Sequence, residues 1–157
     1  MGNDRDIKYM RIAIGEAKKA AEAGEVPVGA VIVCDDTVVA KARNEREERA
    51  TATAHAEILA IEGASKKLGR WRLSDCTIYV TKEPCPMCAG AIFQARMARL
   101  VFGPSDQKGG SAGTLYNIVQ DKRLNWWVEV ERGVLQEENI KLLQDFFRKR
   151  RQKGDQE

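Results

Sequence analysis

Residues 76–103, CTIYVTKEPCPMCAGAIFQARMARLVFG, decide the fold class because they contain a strand, a helix and a second strand in succession. The β-branched run CTIYVT predicts the first strand. Pro84 and Pro86 then mark the start of a helix, which the pattern continues to about Ala98 before the short strand RLVFG. Strands that alternate with helices in this way indicate an α/β fold.

The rest of the chain shows the same alternation. A helix is predicted from Asp4 to Ala23, and Gly24 ends it. The other predicted elements are a β-hairpin around Asp35-Asp36, a helix from Thr53 to Leu68 with a stop at Gly69, a short helix over Thr114 to Gln120, a strand WVEVE at 127–131 and a terminal helix over Glu137 to Arg151. We therefore expect a three-layer α/β/α fold with a mixed central sheet flanked by helices.

Length and composition indicate one soluble domain. The chain has 157 residues, enough to bury a core without disulfides, and we expect one domain over 1–157 with a basic C-terminal helix and tail at 143–157. Apolar residues make up 43% and charged residues 31%, which argues against disordered and fibrous classes. The apolar runs are too short to span a membrane, and the start MGNDRDIKYM lacks the order of a signal peptide. A cytoplasmic location is the default expectation.

Positive charge is concentrated near the C-terminus. The net charge of +3 is too small to indicate a nucleic-acid partner by itself. Between Lys141 and Lys153, however, six basic residues stand against the single acid Asp145. Such a stretch is usually a solvated helix face, so it needs other evidence before it supports an RNA partner.

The four cysteines separate into two pairs by their surroundings. Cys34 closes an apolar strand and Cys76 starts one, which favours simple burial. Cys85 and Cys88 lie three residues apart in the first turn of a helix, where free N–H groups and the positive dipole end favour thiolates. Such a pair could bind a metal or act as a redox pair.

His55 is the only histidine in the chain, and it stands at the head of another predicted helix. Two helix starts that follow strands can face one point at the same edge of a sheet, which would bring His55 to Cys85 and Cys88. One imidazole and two thiolates are the ligand count of a catalytic zinc site with an open fourth position. Glu57 could then carry protons from the zinc-bound water, or it could simply favour the helix dipole.

The combination of HAE at 55–57 with PCPMC at 84–88 resembles the signature of zinc-dependent nucleobase deaminases. The segments EVPVGAVIV, TAHAEILAI, YVTKEPCPMCAGAI, LVFGPSDQKGGSAGTLYNIVQD and DFFRKRR extend the likeness to bacterial tRNA adenosine deaminases of the TadA type. The resemblance implies a cytidine-deaminase-like fold, a homodimer, one zinc ion per subunit, and hydrolysis of adenosine to inosine at the wobble position of a tRNA anticodon.

The resemblance also assigns roles to single residues. His55, Cys85 and Cys88 would bind zinc, and Glu57 would move protons from the water to ring nitrogen 1 and then to the departing amine. The residues implied to hold the base are Asn44, Val28, Ala56 and Pro84. Without the likeness, Asn44 would be interpreted as an ordinary turn residue.

The same resemblance implies two RNA-contacting regions. Asp106 and Lys108 match a loop beside the nucleotides that flank the target. The terminal helix that grips the anticodon stem-loop is matched by Phe146, Phe147, Arg148 and Arg150. Considered alone, the two phenylalanines would be core contacts of an amphipathic helix, with one free to touch RNA.

Two segments depart from the family pattern. Thr51 and Ala52 replace an acid and a proline shortly before His55, so the resemblance does not define the shape of that loop. Trp126 and Trp127 replace a histidine and an arginine; indoles can stack on bases but lack the fixed charge of arginine.

Two alternative functions remain at this stage. A free guanine or cytosine deaminase would use the same zinc site on a different substrate. A non-catalytic, zinc-stabilised RNA-binding module would instead recruit Cys34 or Cys76 as a fourth ligand.

Overall fold

The computed structural model describes residues 3–156. Positions 1, 2 and 157 of the expected single domain lie outside this range. The elements in chain order are α1 (Asp4–Glu22), β1 (Gly29–Cys34), β2 (Thr37–Arg43), α2 (Ala56–Leu68), β3 (Cys76–Val80), α3 (Pro86–Gln94), β4 (Arg99–Phe102), β5 (Glu129–Glu131) and α4 (Gln136–Gln156).

The strands form one mixed sheet in the order β2-β1-β3-β4-β5. β1 pairs antiparallel with β2 and β3, whereas β3, β4 and β5 run parallel to one another. Along β1, Val31 and Val33 pack with α1, while Ala30 and Ile32 pack with α2 and α3. Because alternate residues of a strand face opposite sides, the helices cover both faces of the sheet. The predicted three-layer α/β/α fold is confirmed.

Local turn chemistry explains several boundaries. Asp35 and Asp36 both adopt left-handed backbone conformations, with φ of 51° and 56°, as a tight two-residue hairpin requires. Gly69 ends α2 with φ of 69°, as predicted. Gly29 lies where α1 crosses β1; a Cβ there would overlap the Ala13 carbonyl oxygen.

Four predicted boundaries were wrong, one of them the end of the terminal helix, because α4 extends to Gln156 rather than to Arg151. α2 begins at Ala56 rather than Thr53, because the preceding residues turn back to bond the loop that follows β2. α3 ends at Gln94 rather than Ala98, since Arg96 turns the chain toward β4 with φ of 56°. The predicted strand at 127–131 is reduced to Glu129–Glu131.

The predicted short helix over Thr114 to Gln120 is absent. This segment forms turns and a single antiparallel bridge between Ala112 and Asn117. The backbone N–H groups of Leu115 and Tyr116 both donate to the Gly110 carbonyl oxygen, so the segment folds back on its own loop instead of continuing as a helix.

A buried ion pair attaches α1 to the sheet. Asp6, which is fully buried, accepts hydrogen bonds from Arg99 Nη1 and Nη2 at 2.7 and 2.8 Å and from the Tyr79 hydroxyl at 3.1 Å. Nearer the middle of α1, Arg11 forms an ion pair of 3.2 Å with Glu138 of α4. Within residues 3–156, no helix is long and apolar enough to cross a membrane.

Candidate functional site

Two helix N-termini meet at one edge of the sheet, as the sequence predicted. His55 is the N-cap residue of α2 and Cys85 is the N-cap residue of α3, with Cys88 one turn further along α3. His55 Nδ1 lies 3.6 Å from Cys85 Sγ and 3.4 Å from Cys88 Sγ. All three donor atoms lie within 4.8 Å of one another.

This spacing fits a tetrahedral zinc ion. With zinc–nitrogen and zinc–sulfur bonds of about 2.0 and 2.3 Å, neighbouring ligand atoms are separated by about 3.5 Å. The measured nitrogen–sulfur distances of 3.6 and 3.4 Å bracket that value. Among the described residues, this cluster contains three ligands and no fourth side chain, which leaves one position open.

The electrostatics of the cluster favour a thiolate. A hydrogen bond from Cys88, together with the neighbouring His55, lowers the pKa of Cys85 to about 4. The pKa of His55 is raised, mainly by its hydrogen bond with Cys85. The pKa of Cys88 is raised because its thiol donates to Cys85 and is buried. A proton-sharing thiol pair beside an imidazole is a donor set ready to exchange its protons for a cation.

Glu57 lies in the first turn of α2 next to this cluster. Its side chain is buried, with only 4% of the residue exposed. Burial is the main cause that raises the pKa of its carboxyl group, and the nearby Cys85 adds to the effect. A buried carboxyl group with a raised pKa beside this cluster is suited to taking up and releasing protons.

A cavity of about 210 Å³ opens onto His55, Glu57 and Cys85. Five of the residues implied to bind substrate line it, namely Val28, Asn44, Ala56, Asp106 and Phe147. The other five do not line it: Pro84 is buried behind Cys85, and Lys108, Phe146, Arg148 and Arg150 lie outside the cavity. The cavity therefore brings together the residues expected around a base and excludes most of those expected along the RNA.

Asn44 is both a turn residue and a cavity residue. Its Nδ2 donates to the Val26 carbonyl oxygen at 3.2 Å, and its Oδ1 accepts from the Arg46 backbone N–H at 3.2 Å. Because both ends of the amide are held, its orientation at the cavity wall is defined by the turn. The two interpretations of Asn44 are compatible.

The terminal helix contributes one aromatic side chain to the cavity. Phe147 is 38% exposed at the cavity wall, whereas Phe146 is half-buried and meets Phe147 edge-on at a centroid distance of 5.4 Å. The Arg150 guanidinium lies over the Phe146 ring, and Arg148 pairs with Asp145. As expected from the sequence, one of the two phenylalanines is free to touch a ligand.

Two buried carboxylates that the sequence did not indicate organise the loops beside the cavity. Glu25 accepts from the backbone N–H groups of Glu47 and Glu48 at 3.0 and 2.7 Å. Glu83 accepts from the loop that carries Asp106. A glutamate before a Pro-Cys pair or after a helix carries no local signal of burial, because its partners are remote in sequence.

Two further cavity residues were also missed. Lys82 lines the cavity and pairs with Asp106 at 3.1 Å, and Arg46 lines it from the loop between β2 and α2. Both are cations beside the entrance, which would favour a negatively charged ligand. Charged residues before a helix are common on any surface, so the sequence alone did not distinguish them.

The two departures from the family pattern have different consequences. Trp126 is half-buried against the core and donates from Nε1 to the Met97 carbonyl oxygen at 2.9 Å, whereas Trp127 is 52% exposed. Thr51 lies in a compact turn in which its backbone N–H donates to the Arg46 carbonyl oxygen at 3.0 Å. Of these two indoles, Trp127 is the one exposed enough to stack on a base.

Cys34 and Cys76 are buried, as predicted. They pair across β1 and β3, and Cys76 begins β3, whereas Cys85 follows the end of that strand. The two cysteine pairs therefore lie at opposite ends of the sheet. Neither Cys34 nor Cys76 is therefore close enough to serve as a fourth zinc ligand beside His55, so the structure does not support a purely structural zinc site there.

Comparison with known proteins agrees with this geometry. The sequence matches the family of MafB19-like deaminases over residues 4–151. A tRNA-specific adenosine deaminase of Bacillus subtilis (strain 168) is 52% identical over 149 residues, which cover 95% of this chain and 92% of that protein.

Two solved structures are also similar. One, from a study of A-to-I editing by tRNA:A34 deaminases at the wobble position of transfer RNA, has a TM-score of 0.83 and 40% identity, covering 87% of this chain and 99% of the other. A guanine deaminase from Bacillus subtilis has a TM-score of 0.62 and 36% identity, covering 73% of this chain and 71% of the other. The first likeness is closer in sequence, superposition and coverage.

Proposed function

Because this chain belongs to the MafB19-like deaminase family and matches tRNA-specific adenosine deaminases over most of its length, we propose that it converts adenosine to inosine at the wobble position of a tRNA anticodon. The observation that carries the proposal is the convergence of His55, Cys85, Cys88 and the buried Glu57 on one cavity. The reaction is hydrolytic: water adds at carbon 6 of adenine and the amino group leaves as ammonia.

His55, Cys85 and Cys88 would hold one zinc ion per subunit through Nδ1 and the two sulfur atoms. Zinc supplies a Lewis acid that lowers the pKa of water to about 7. The two helix N-termini stabilise the negative charge of the two thiolates, so the charge of the ligand set is compensated by the fold itself.

Glu57 carries the protons of the reaction. Its carboxylate takes a proton from the attacking water and delivers it to ring nitrogen 1. It then takes the remaining proton of the added hydroxyl and passes it to the departing amine, which leaves as ammonia. Burial supports this role because it disfavours the charged carboxylate and so favours the uptake of a proton.

The cavity wall holds the base. Asn44 presents an amide whose orientation is defined by two hydrogen bonds, while Val28 and the backbone of Ala56 form the apolar surroundings. A cavity of about 210 Å³ suits a single extruded base rather than a folded RNA segment. The adenosine must therefore be flipped out of the anticodon loop, which costs least for an unpaired base.

The rest of the anticodon stem-loop lies along the terminal helix and the loop after β4. Phe147 stacks near the cavity, Phe146 supports it, and Arg148 and Arg150 contact phosphates with Lys108, while Asp106 shapes the rim. RNA affinity should therefore fall steeply with ionic strength. A salt titration by fluorescence anisotropy measures this slope.

A homodimer in the cytoplasm completes the proposal. The groove between α2 and α3, lined by Ile58, Ile61, Trp71, Ala91 and Ala95, is a surface apolar enough to be covered by a second copy. Light scattering of the purified protein and of a Trp71→Glu variant tests the assembly. The variant should shift the mass toward a monomer.

One experiment separates the proposed function from its alternatives. Wild type, Glu57→Gln and the matched control Glu22→Gln, an exposed glutamate of α1 outside the cavity and the proposed dimer groove, are incubated with an anticodon stem-loop carrying a wobble adenosine, and separately with free adenine, guanine and cytosine. Inosine in RNA and released ammonia are measured together with zinc content.

Inosine from wild type and Glu22→Gln, with a loss of about 10²-fold or more in Glu57→Gln, supports the proposal. Ammonia from guanine or cytosine alone would assign a free-base deaminase instead. Bound zinc without turnover of any of these substrates would favour the RNA-binding module.

A further inference from the structure

Glu83 is a buried carboxylate that the proposed reaction does not use. It is 1% exposed and lies in the connection between β3 and α3. Its two oxygens accept four hydrogen bonds, all from the loop at 104–114: from the N–H groups of Asp106 (3.0 Å), Ala112 (3.0 Å) and Thr114 (3.2 Å), and from the Thr114 hydroxyl (2.5 Å). One side chain thus connects three separate points of that loop.

The chemistry of these contacts specifies an ionised carboxylate. All four partners are donors, and they are divided evenly between Oε1 and Oε2. An ionised carboxylate accepts at both oxygens, whereas the amide of glutamine would turn an NH₂ group toward donors on one side. Leaving buried N–H groups without an acceptor is unfavourable, so glutamine would release part of the loop.

The connected loop reaches the cavity through Asp106, and Glu83 itself also lines the cavity. Asp106 lines the cavity and pairs with Lys82, the residue directly before Glu83. Two backbone hydrogen bonds support the same arrangement, from Glu83 N–H to the Pro104 carbonyl oxygen at 3.1 Å and from Ser111 N–H to the Pro84 carbonyl oxygen at 2.9 Å. The loop is therefore attached to the segment that leads directly into Cys85.

Gly110 provides an independent indication that the carboxylate defines the loop conformation. A Cβ at this position would lie 2.5 Å from Glu83 Cδ and 2.6 Å from the Asp106 carbonyl oxygen, so alanine would push the carboxylate aside. At neighbouring Gly109, the nearest atom to a Cβ is Asp106 Oδ2 at 4.0 Å, an ordinary contact.

We propose that Glu83 is a positioning residue that holds the loop at 104–114 in the conformation that receives RNA at the cavity rim. Its carboxylate accepts a hydrogen bond from the backbone of the rim residue Asp106, and Glu83 itself lies in the segment that leads into Cys85 and α3. RNA then meets a preformed rim and does not have to order the loop when it binds. This inference rests on the proposed function for its substrate, but the attachment of the loop does not depend on it.

The test compares four proteins: wild type, Glu83→Gln, Gly110→Ala and the matched control Gly109→Ala. KM and kcat are measured with the anticodon stem-loop that carries a wobble adenosine. Zinc content is measured in each protein, and amide hydrogen exchange is followed at Ala112 and Thr114. Gly110→Ala keeps the glutamate, so the test stands even if Glu83→Gln fails to fold.

Glu83→Gln and Gly110→Ala should raise KM on the order of tenfold to a hundredfold, with a smaller change in kcat. Zinc content should remain that of wild type, and exchange at Ala112 and Thr114 should accelerate. Gly109→Ala should match wild type throughout. An unchanged KM in both variants, or a loss of zinc that accounts for the loss of activity, would overturn the positioning role.

The exchange measurement separates this inference from the proposed function. If wild type failed to deaminate the stem-loop, the proposed substrate would be wrong. Slow exchange in wild type that stays slow in both variants would show instead that Glu83 does not hold the loop, whatever the substrate.

Discussion

Replacing Asp6 by asparagine should destabilise the fold more than any other single loss of negative charge in α1. The carboxylate is fully buried and makes charge-assisted hydrogen bonds of 2.7 and 2.8 Å to Arg99 and one of 3.1 Å to Tyr79. Breaking a buried pair by removing one partner costs about 3–5 kcal/mol. The Arg99 side chain remains 20% exposed and lies 3.8 Å from Glu129, so we expect the lower end, about 3 kcal/mol.

Thermal and urea unfolding of Asp6→Asn and Asp4→Asn provide the matched comparison. Asp4 is an exposed acid in the same first helical turn, so both variants lose the same favourable interaction with the helix dipole, and their difference isolates the buried pair. For a domain of this size, about 3 kcal/mol lowers Tm by roughly 6–12 °C. A difference below about 1 kcal/mol between the two variants would refute the reasoning.

The pH dependence adds a second check. Burial by itself would raise the pKa of the Asp6 carboxyl, but the hydrogen bonds from Arg99 and Tyr79 hold it below the usual 3.8. A depressed carboxyl pKa stabilises the folded state above the unfolded value and loses this contribution as pH falls through the folded value. The difference in unfolding free energy between wild type and Asp6→Asn should therefore stay constant from neutral pH to about pH 4 and become smaller below it. A difference that grew in acid would contradict a lowered pKa of Asp6 in the folded state.

Three further predictions concern the site and the packing around it. His55→Ala should lose zinc and inosine formation together, because the chain has no second imidazole; normal turnover with elemental analysis showing bound zinc would exclude His55 as a ligand. Gly29→Ala should lower Tm, since its Cβ would overlap α1, whereas Gly15→Ala on the exposed face of α1 should raise stability by roughly 0.5–1 kcal/mol. Trp126→Phe should lower the free energy of unfolding by about 1 kcal/mol because it loses the hydrogen bond to a backbone carbonyl. Trp127→Phe should change the free energy of unfolding by no more than about 0.5 kcal/mol, because Trp127 is exposed. Equal unfolding midpoints for the two variants would contradict this difference.

Features that depend on neighbouring residues were predictable from the sequence. The hairpin at Asp35-Asp36, the end of α2 at Gly69 and the helix start at Pro86 follow from local turn and capping preferences. The spacing of Cys85 and Cys88 placed both sulfurs on one helical turn. His55 could be joined to them only through the expectation that two helix starts meet at one sheet edge.

Features that depend on distant partners were not predictable. The helix expected over Thr114 to Gln120 is replaced by turns, because the preceding loop is held by Glu83, a residue far away in sequence. Glu25 and Glu83 look like ordinary surface acids, and only tertiary hydrogen-bond donors make their burial favourable. Local patterns report the conformation of a segment, but not the groups that surround it.

The sequence by itself determined the α/β alternation and indicated the residue types of the candidate metal site, with Glu57 as the proposed proton carrier two residues after His55, because periodicity, capping and residue chemistry are encoded locally. Only the tertiary structure decided that the three ligand atoms lie within 4.8 Å, that Cys34 and Cys76 belong to the opposite end of the sheet, and that buried carboxylates shape the loops around the cavity. The reason is physical: distance, burial and the satisfaction of polar groups are properties of segments brought together by packing of the core.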